Sequence, residues 1–192
     1  MFGLPLVIIG LWFLPLWLNL AKPTLNQTPV VQQVFGPPKG VAGPKKDFFD
    51  FNRLAIHAPM SIMPETSPLN ANDWSKLREA LHKGVGLSFT QDDFESAPLV
   101  FVTGHSSDVN PHQYGSVFAG LNQSHTDDTF TLHIHGKEYK YKVVEKQILN
   151  PLNKDAFLKL GEGHEKQRVV LVTCWPVLTT KNRLVVVGER VE

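Results

Sequence analysis

The sequence predicts a mainly β fold, closed or nearly closed into an antiparallel barrel with short helices and preceded by an N-terminal transmembrane helix. Three observations point there. From residue 51 onward the chain runs as short stretches of period-two or β-branched residues separated by turn signals. Helical patterning is confined to brief segments between them. Ahead of both, Met1 to Ala21 carry no charge and consist mostly of Leu, Ile, Val, Phe and Trp. At 192 residues the chain has room for one ordinary domain beyond that leader.

Residues 1–21 make about 30 Å of helix, enough to span a bilayer. Pro5 and Pro15 weaken the helix locally, but hydrocarbon leaves a backbone few alternatives, and Trp12 and Trp17 suit a segment that ends near an interface. A cleaved secretory signal is the competing reading. It calls for a basic start and a small-residue cleavage site, and neither is present, so an anchor is preferred. Residues 22–50 shift to Pro, Gly, Gln and Thr, with Pro23, Pro29, Pro37, Pro38 and Pro44 breaking any regular element, which makes a spacer. Within it, Asp47-Phe48-Phe49-Asp50-Phe51 reads either as aromatics stapling the spacer to the barrel wall or as a lid over the site. The domain, residues 51–192, is thereby held off the membrane and outside the cytoplasm.

In that domain Arg53 to Ile62 reads as a strand pair interrupted at Pro59. Asn72 or Asp73 caps a helix running to Lys83, with Trp74, Leu77 and Leu81 on one face and Gly84 as its stop. Leu99 to Thr103 is a buried strand, and Tyr114 to Leu121 is one or two helical turns. Thr129 to His135 and Lys137 to Ile148 form a hairpin turning at Gly136 and Lys137. Asn150 to Gly163 is a connection with a short helix near Asp155 to Leu160. Val169 to Cys174 and Leu184 to Val191 are the closing strands. About eight strands with incidental helices favour a barrel.

Lys and Arg total 19 against 18 Asp and Glu, a net charge of +1 without a long basic run, which argues against nucleic-acid binding. One cysteine, Cys174, excludes an internal disulfide and a multi-thiolate zinc site; it is either a small core residue or a reagent. It ends a strand, as does Gly104-His105-Ser106-Ser107, while Arg183 opens the last strand. Strand ends hold a side chain steady yet reachable. A thiol with a free pKa of about 8.5 needs a cation or base nearby, a histidine can carry a proton to a leaving amine, and an arginine stays charged throughout.

The segment Leu171-Val172-Thr173-Cys174-Trp175-Pro176, followed by Arg183 and Leu184-Val185-Val186-Val187, resembles the sortase signature of a strand ending in Leu-x-Thr-Cys, a loop, and an Arg opening the final strand. Val102-Thr103-Gly104-His105-Ser106-Ser107 is similar to that family's Gly-His segment. Leu54 to Met60 is similar to its early strand, and Lys137 to Val144, with Tyr139 and Tyr141, to its Gly-x-x-Tyr-x-Tyr-x-Val strand. Asp127-Asp128 stands where many members have a Gly-Asp turn. The resemblance covers most of residues 51–192 and does not assign a class.

It implies an eight-stranded barrel and transpeptidation on the outer face of a Gram-positive-type envelope. Cys174 is then the nucleophile toward the Thr–Gly carbonyl of an LPXTG-like sorting signal, His105 protonates the departing amine, and Arg183 steadies the oxyanion. Thr173, Gly104 and Ser106 would shape the substrate pocket. Leu152, Phe157, Leu158 and Leu160 are read both as groove lining for a Leu-Pro pair and as the packed face of a short helix. Partners are secreted proteins with a C-terminal sorting signal and an amine acceptor on a peptidoglycan precursor or a pilin. Localisation is the cell membrane, single-pass. The rival readings are an L,D-transpeptidase, whose Ser-x-Gly-Cys-type motif is missing here, and a non-catalytic envelope peptide-binding barrel with a buried, inert Cys174.

No cofactor is required and no metal is assigned. His133 and His135 stand two apart on one strand, as two imidazole ligands do, but alternation with Phe130, Leu132 and Ile134 marks a solvated strand face. Calcium, which some sortases hold with acidic loop residues, has only the scattered Asp127, Asp128, Glu162 and Glu165 to bind it.

Overall fold

In a computed structural model describing residues 46–63, 74–89, 91, 93–110 and 112–191, β1 (Phe48–Phe51) alternates Phe49 and Phe51 into the interior with Phe48 and Asp50 outside. The aromatic cluster expected to staple the spacer or form a lid is therefore a barrel strand. Both inward rings are fully buried and meet Phe130, and Phe49 also meets Phe118. A 3-10 turn over Asn52–Leu54, ending on left-handed Ala55, reverses the chain into β2 (Ile56–Met63). Pro59 does not interrupt β2. It pairs with Phe48 on one side, and the other neighbour starts only at Met60, so no ladder donor is lost there.

Helix α1 (Trp74–Lys83) buries Leu77, Ala80 and Leu81 and stops at Gly84. A Cβ at Gly84 would lie 1.9 Å from the Pro59 carbonyl oxygen, and its φ of +155° is itself strained for other residues. Next comes β3 (Val85–Phe89), an element absent from the sequence reading although every residue is buried. Gly86 and Ser88 hide its apolar pattern, and Gly86 leaves the room that Met63 and Leu77 of the covering layer fill.

The remaining strands are β4 (Leu99–Thr103), β5 (Thr129–Ile134), β6 (Lys137–Leu149), β7 (Arg168–Trp175) and β8 (Asn182–Arg190), with a short α2 (Lys154–Leu158) between β6 and β7. The β5–β6 turn is centred on His135 and Gly136, both at positive φ, rather than on Gly136 and Lys137. His135 thus leaves the strand, so it and His133 do not share a face as expected. His133 stacks on Phe48 and faces Asp50, as a residue of an outer strand surface does.

The eight strands close in the order β1-β2-β3-β4-β7-β8-β6-β5. The barrel is mixed rather than antiparallel throughout, because β2 pairs parallel with β3 and β4 parallel with β7. The helix-bearing crossover through α1 makes the first pair possible; the β5–β6 hairpin lies between β4 and β7 in sequence and makes the second. Among the described residues no helix is long and apolar enough to cross a membrane. The anchor expected at 1–21 and the spacer up to residue 45 lie outside the described residues.

Two apolar clusters divide the strands by parity. Val100, Val102, Val169, Leu171, Leu184 and Val186 point into the barrel. Leu99, Phe101, Val170, Val172, Val185 and Val187 point outward and are covered by Phe157 and Leu160 of the β6–β7 connection. Arg168 pins that connection by donating from Nη1 to the Leu160 carbonyl.

Candidate active site

Parity along β7 and β8 places Cys174 and Arg183 on the outer face. Val170 and Val172 face out, so two residues on Cys174 does too, in the row shared by Val187, Val185 and Arg183. The antiparallel ladder sets Cys174 directly opposite Arg183. Side chains so paired have Cβ atoms roughly 5 Å apart. Cys174 is half-buried rather than enclosed, which removes the premise of an inert core thiol.

His105 arrives from the other side. The parallel pairing of β4 with β7 ends at Thr103 opposite Val172 and is extended by two bonds. Gly104 N donates to the Val172 carbonyl at 3.1 Å, and Thr173 Oγ1 donates to the Gly104 carbonyl at 2.8 Å. The next residues after this junction are His105 on one side and Cys174 on the other. Leu178 N donates to Ser107 Oγ at 2.9 Å and ties the β7–β8 loop to the same segment. Arg183 is held by two 3.1 Å bonds from Nη1 to the Thr180 and Asn182 carbonyls.

The other expected pocket residues divide. Thr173 is turned inward with only 2% exposure, so its hydroxyl ties β7 to β4 and is not available to line the outer groove. Ser106 is equally buried. Gly104 is needed for packing: a Cβ there would sit 2.6 Å from the Phe118 ring. Phe157 is buried in the outer cluster, whereas Leu158 and Leu152 are open at 44% and 87% exposure. The packed-face reading therefore holds for Phe157 and Leu160, and the groove-lining reading remains for Leu152 and Leu158. Leu158 borders a shallow depression of about 240 Å³ with Pro98, Leu99, Phe101, Gly161 and Glu162. Phe101 pairs with Val170, four residues from Cys174, so this depression lies about 13 Å along the same outer face.

Beside His105 stands a group of titratable side chains that sequence reasoning missed. Its Nε2 is buried and 3.4 Å from Asp108 Oδ2, without hydrogen-bond geometry. Asp108 is fixed by the Asn110 N–H at 2.9 Å and by His112 Nε2 at 3.1 Å. The Asn110 bond is the largest of several effects that hold its carboxyl below the usual carboxylate range. Burial lowers the pKa of His105, against the opposing pull of Asp108. His82 from the end of α1 approaches His112, ring centroids 4.5 Å apart. The signal available in the sequence was an aspartate three residues after His105 and a histidine four after that.

The acidic residues weighed for calcium are occupied otherwise or apart. Asp128 holds Arg53 and Asp127 lies near Lys142. Among the described residues the one grouping with metal-ligand spacing is His82, Asp108 and His112.

A family model described as a Sortase domain matches residues 62–191. Similar solved structures include "Sortase C1 of GBS Pilus Island 1", at TM-score 0.59 and 19% identity, covering 76% of this chain and 64% of that one. Sortase C-1 from Actinomyces oris matches at TM-score 0.59 and 23% identity, covering 92% and 86%. Sortase C from Clostridium perfringens, solved with the C-terminal cell wall sorting motif, matches at TM-score 0.57 and 24% identity over 76% and 69%. These identities speak to fold alone, and the chain spans 64% of the length of the first. No curated protein matches the chain significantly in sequence.

Proposed function

The chain belongs to the sortase family, and from that premise we propose that it is a membrane-anchored cysteine transpeptidase that cuts an LPXTG-like sorting signal and passes it to an envelope amine. One observation carries the reading: strand register sets Cys174 opposite Arg183 on β7 and β8, and His105 follows directly on the end of β4 that is bonded to β7 beside Cys174.

Cys174 gives its thiol proton to His105 and its sulfur attacks the carbonyl carbon between Thr and Gly, forming the C–S bond and moving the π electrons onto oxygen. The Arg183 guanidinium, always charged, anchored by its loop carbonyls and opposite Cys174 in the ladder, is the group proposed to steady that developing charge. Collapse breaks the C–N bond as His105 gives its proton to the departing amine. With Nε2 buried against Asp108, Nδ1 is the nitrogen that exchanges the proton. The acceptor amine then attacks the thioester, the C–S bond breaks, and the amine's proton passes through His105 to the departing Cys174 sulfur.

Leu158 and the depression beside it suit the apolar residues ahead of the scissile bond. The uncharged segment 1–21 and the Pro-rich stretch behind it support an anchor that presents the domain outside the cytoplasm.

The test incubates the full-length chain with a library of sorting-motif peptides and two acceptors, a peptidoglycan-precursor amine and a pilin lysine. The expected result is a peptide thioester on Cys174 by intact mass, absent from Cys174→Ala, followed by transfer to one acceptor. Absence of any adduct across the library would refute the proposal.

A further inference from the structure

The geometry points to a zinc-class divalent-cation site formed by His82, Asp108 and His112, whose occupation withdraws Asp108 from His105 and so inhibits the enzyme. The three ligand groups come from two elements, the last turn of α1 and the loop after β4, and their ligand atoms lie within 4.8 Å of one another. Edges of a tetrahedral site with 2.0–2.1 Å ligand bonds are about 3.3 Å. Asp108 Oδ2 and His112 Nε2 already stand 3.1 Å apart. His82 is exposed at the helix end, where its ring is not held by a buried environment, and its ligand atom lies within 4.8 Å of the other two. Two imidazoles with one carboxylate suit zinc; calcium asks for six to eight oxygens, which are not gathered here.

In the metal-free arrangement His112 Nδ1 accepts a long 3.3 Å bond from the Tyr114 N–H, and Nε2 carries the proton toward Asp108. Coordination at Nε2 moves that proton to Nδ1 and gives up the Tyr114 contact. A second observation ties the site to the chemistry: Oδ2, the oxygen the metal would take, is also the one 3.4 Å from His105 Nε2, itself buried without a hydrogen bond. A metal and His105 therefore compete for one carboxylate oxygen, and a bound ion offsets the negative charge that Asp108 presents to His105.

The regulatory half rests on the proposed transpeptidase reading; the site itself does not. The probe is Zn²⁺, titrated calorimetrically into the full-length chain, with Co²⁺ absorption reporting geometry. One ion per chain is expected, with a tetrahedral Co²⁺ spectrum, affinity tenfold or more weaker in His82→Ala and in His112→Ala, and no change in Cys174→Ala. No saturable binding, or binding that survives His82→Ala and disappears in Cys174→Ala, overturns the site. In the second arm, Zn²⁺ is expected to lower sorting-peptide turnover and EDTA to restore it, while His82→Ala keeps its metal-free turnover and loses the inhibition. Binding as expected with unaltered turnover overturns the regulatory half. Absence of turnover even in metal-free enzyme counts against the transpeptidase reading, and the calorimetry still decides the site.

Discussion

Thr173→Val separates two roles for one residue, a contact in the substrate groove and a tie between strands. The Thr173 hydroxyl is buried and donates at 2.8 Å to the Gly104 carbonyl, next to the last β4–β7 backbone bond before His105 and Cys174. Valine keeps the shape and removes the donor. A buried carbonyl left without that donor costs about 1–3 kcal/mol, so about 2 kcal/mol is expected. With a urea slope of about 2 kcal/mol per molar, the unfolding midpoint falls by about 1 M. Because the lost bond holds the two strand ends level, kcat should fall several-fold with KM nearly unchanged. Thr173→Ser keeps the donor and loses one buried methyl, about 1 kcal/mol, and should retain turnover. An unchanged midpoint combined with a raised KM would show that the side chain meets substrate, and the strand-tie argument would fail.

Other expectations follow from the same geometry. Arg183→Lys should lower kcat about a hundredfold, since an ammonium cannot hold both the Thr180 and Asn182 carbonyls and still present a fixed donor to the oxyanion; wild-type turnover of a sorting peptide would contradict this. Gly104→Ala forces a Cβ to 2.6 Å from the Phe118 ring and should cost about 1–3 kcal/mol in a urea melt, with a matching loss of turnover because Phe118 N donates to the His105 carbonyl. Burial depresses the His105 pKa, so the folded state binds fewer protons than the unfolded chain. The stability so gained is complete above about pH 6.5 and is lost as pH falls through that value toward the folded pKa. Urea midpoints between pH 7 and 5.5 should therefore drop more steeply for the wild type than for His105→Gln, and parallel profiles would be inconsistent with a buried, neutral imidazole.

The closing strands were legible because their apolar run is continuous and their ends are marked by Cys174 and Arg183, nine residues apart across a short loop; antiparallel pairing then makes the two meet. The β5–β6 hairpin was legible from alternation, with its turn misplaced by one residue because His135 adopts a positive φ that glycine more often supplies. β3 was not legible, since Gly86 and Ser88 interrupt its pattern. Neither was β1, whose Phe49 and Phe51 meet Phe130 of β5 about 80 residues later. The parallel pairs leave no local mark, as each joins strands separated by a helix or a whole hairpin.

By itself the sequence determined which side chains are capable of reactive chemistry and that Cys174 and Arg183 would stand at strand ends, because side-chain type and period-two alternation are local properties. Only the tertiary structure decided that Thr173, Ser106 and Phe157 are buried, and that His82, Asp108 and His112 gather near His105. Those outcomes depend on which strand lies beside which and on the face each residue shows after the barrel closes, and closure is set by long-range burial that no short stretch of chain encodes.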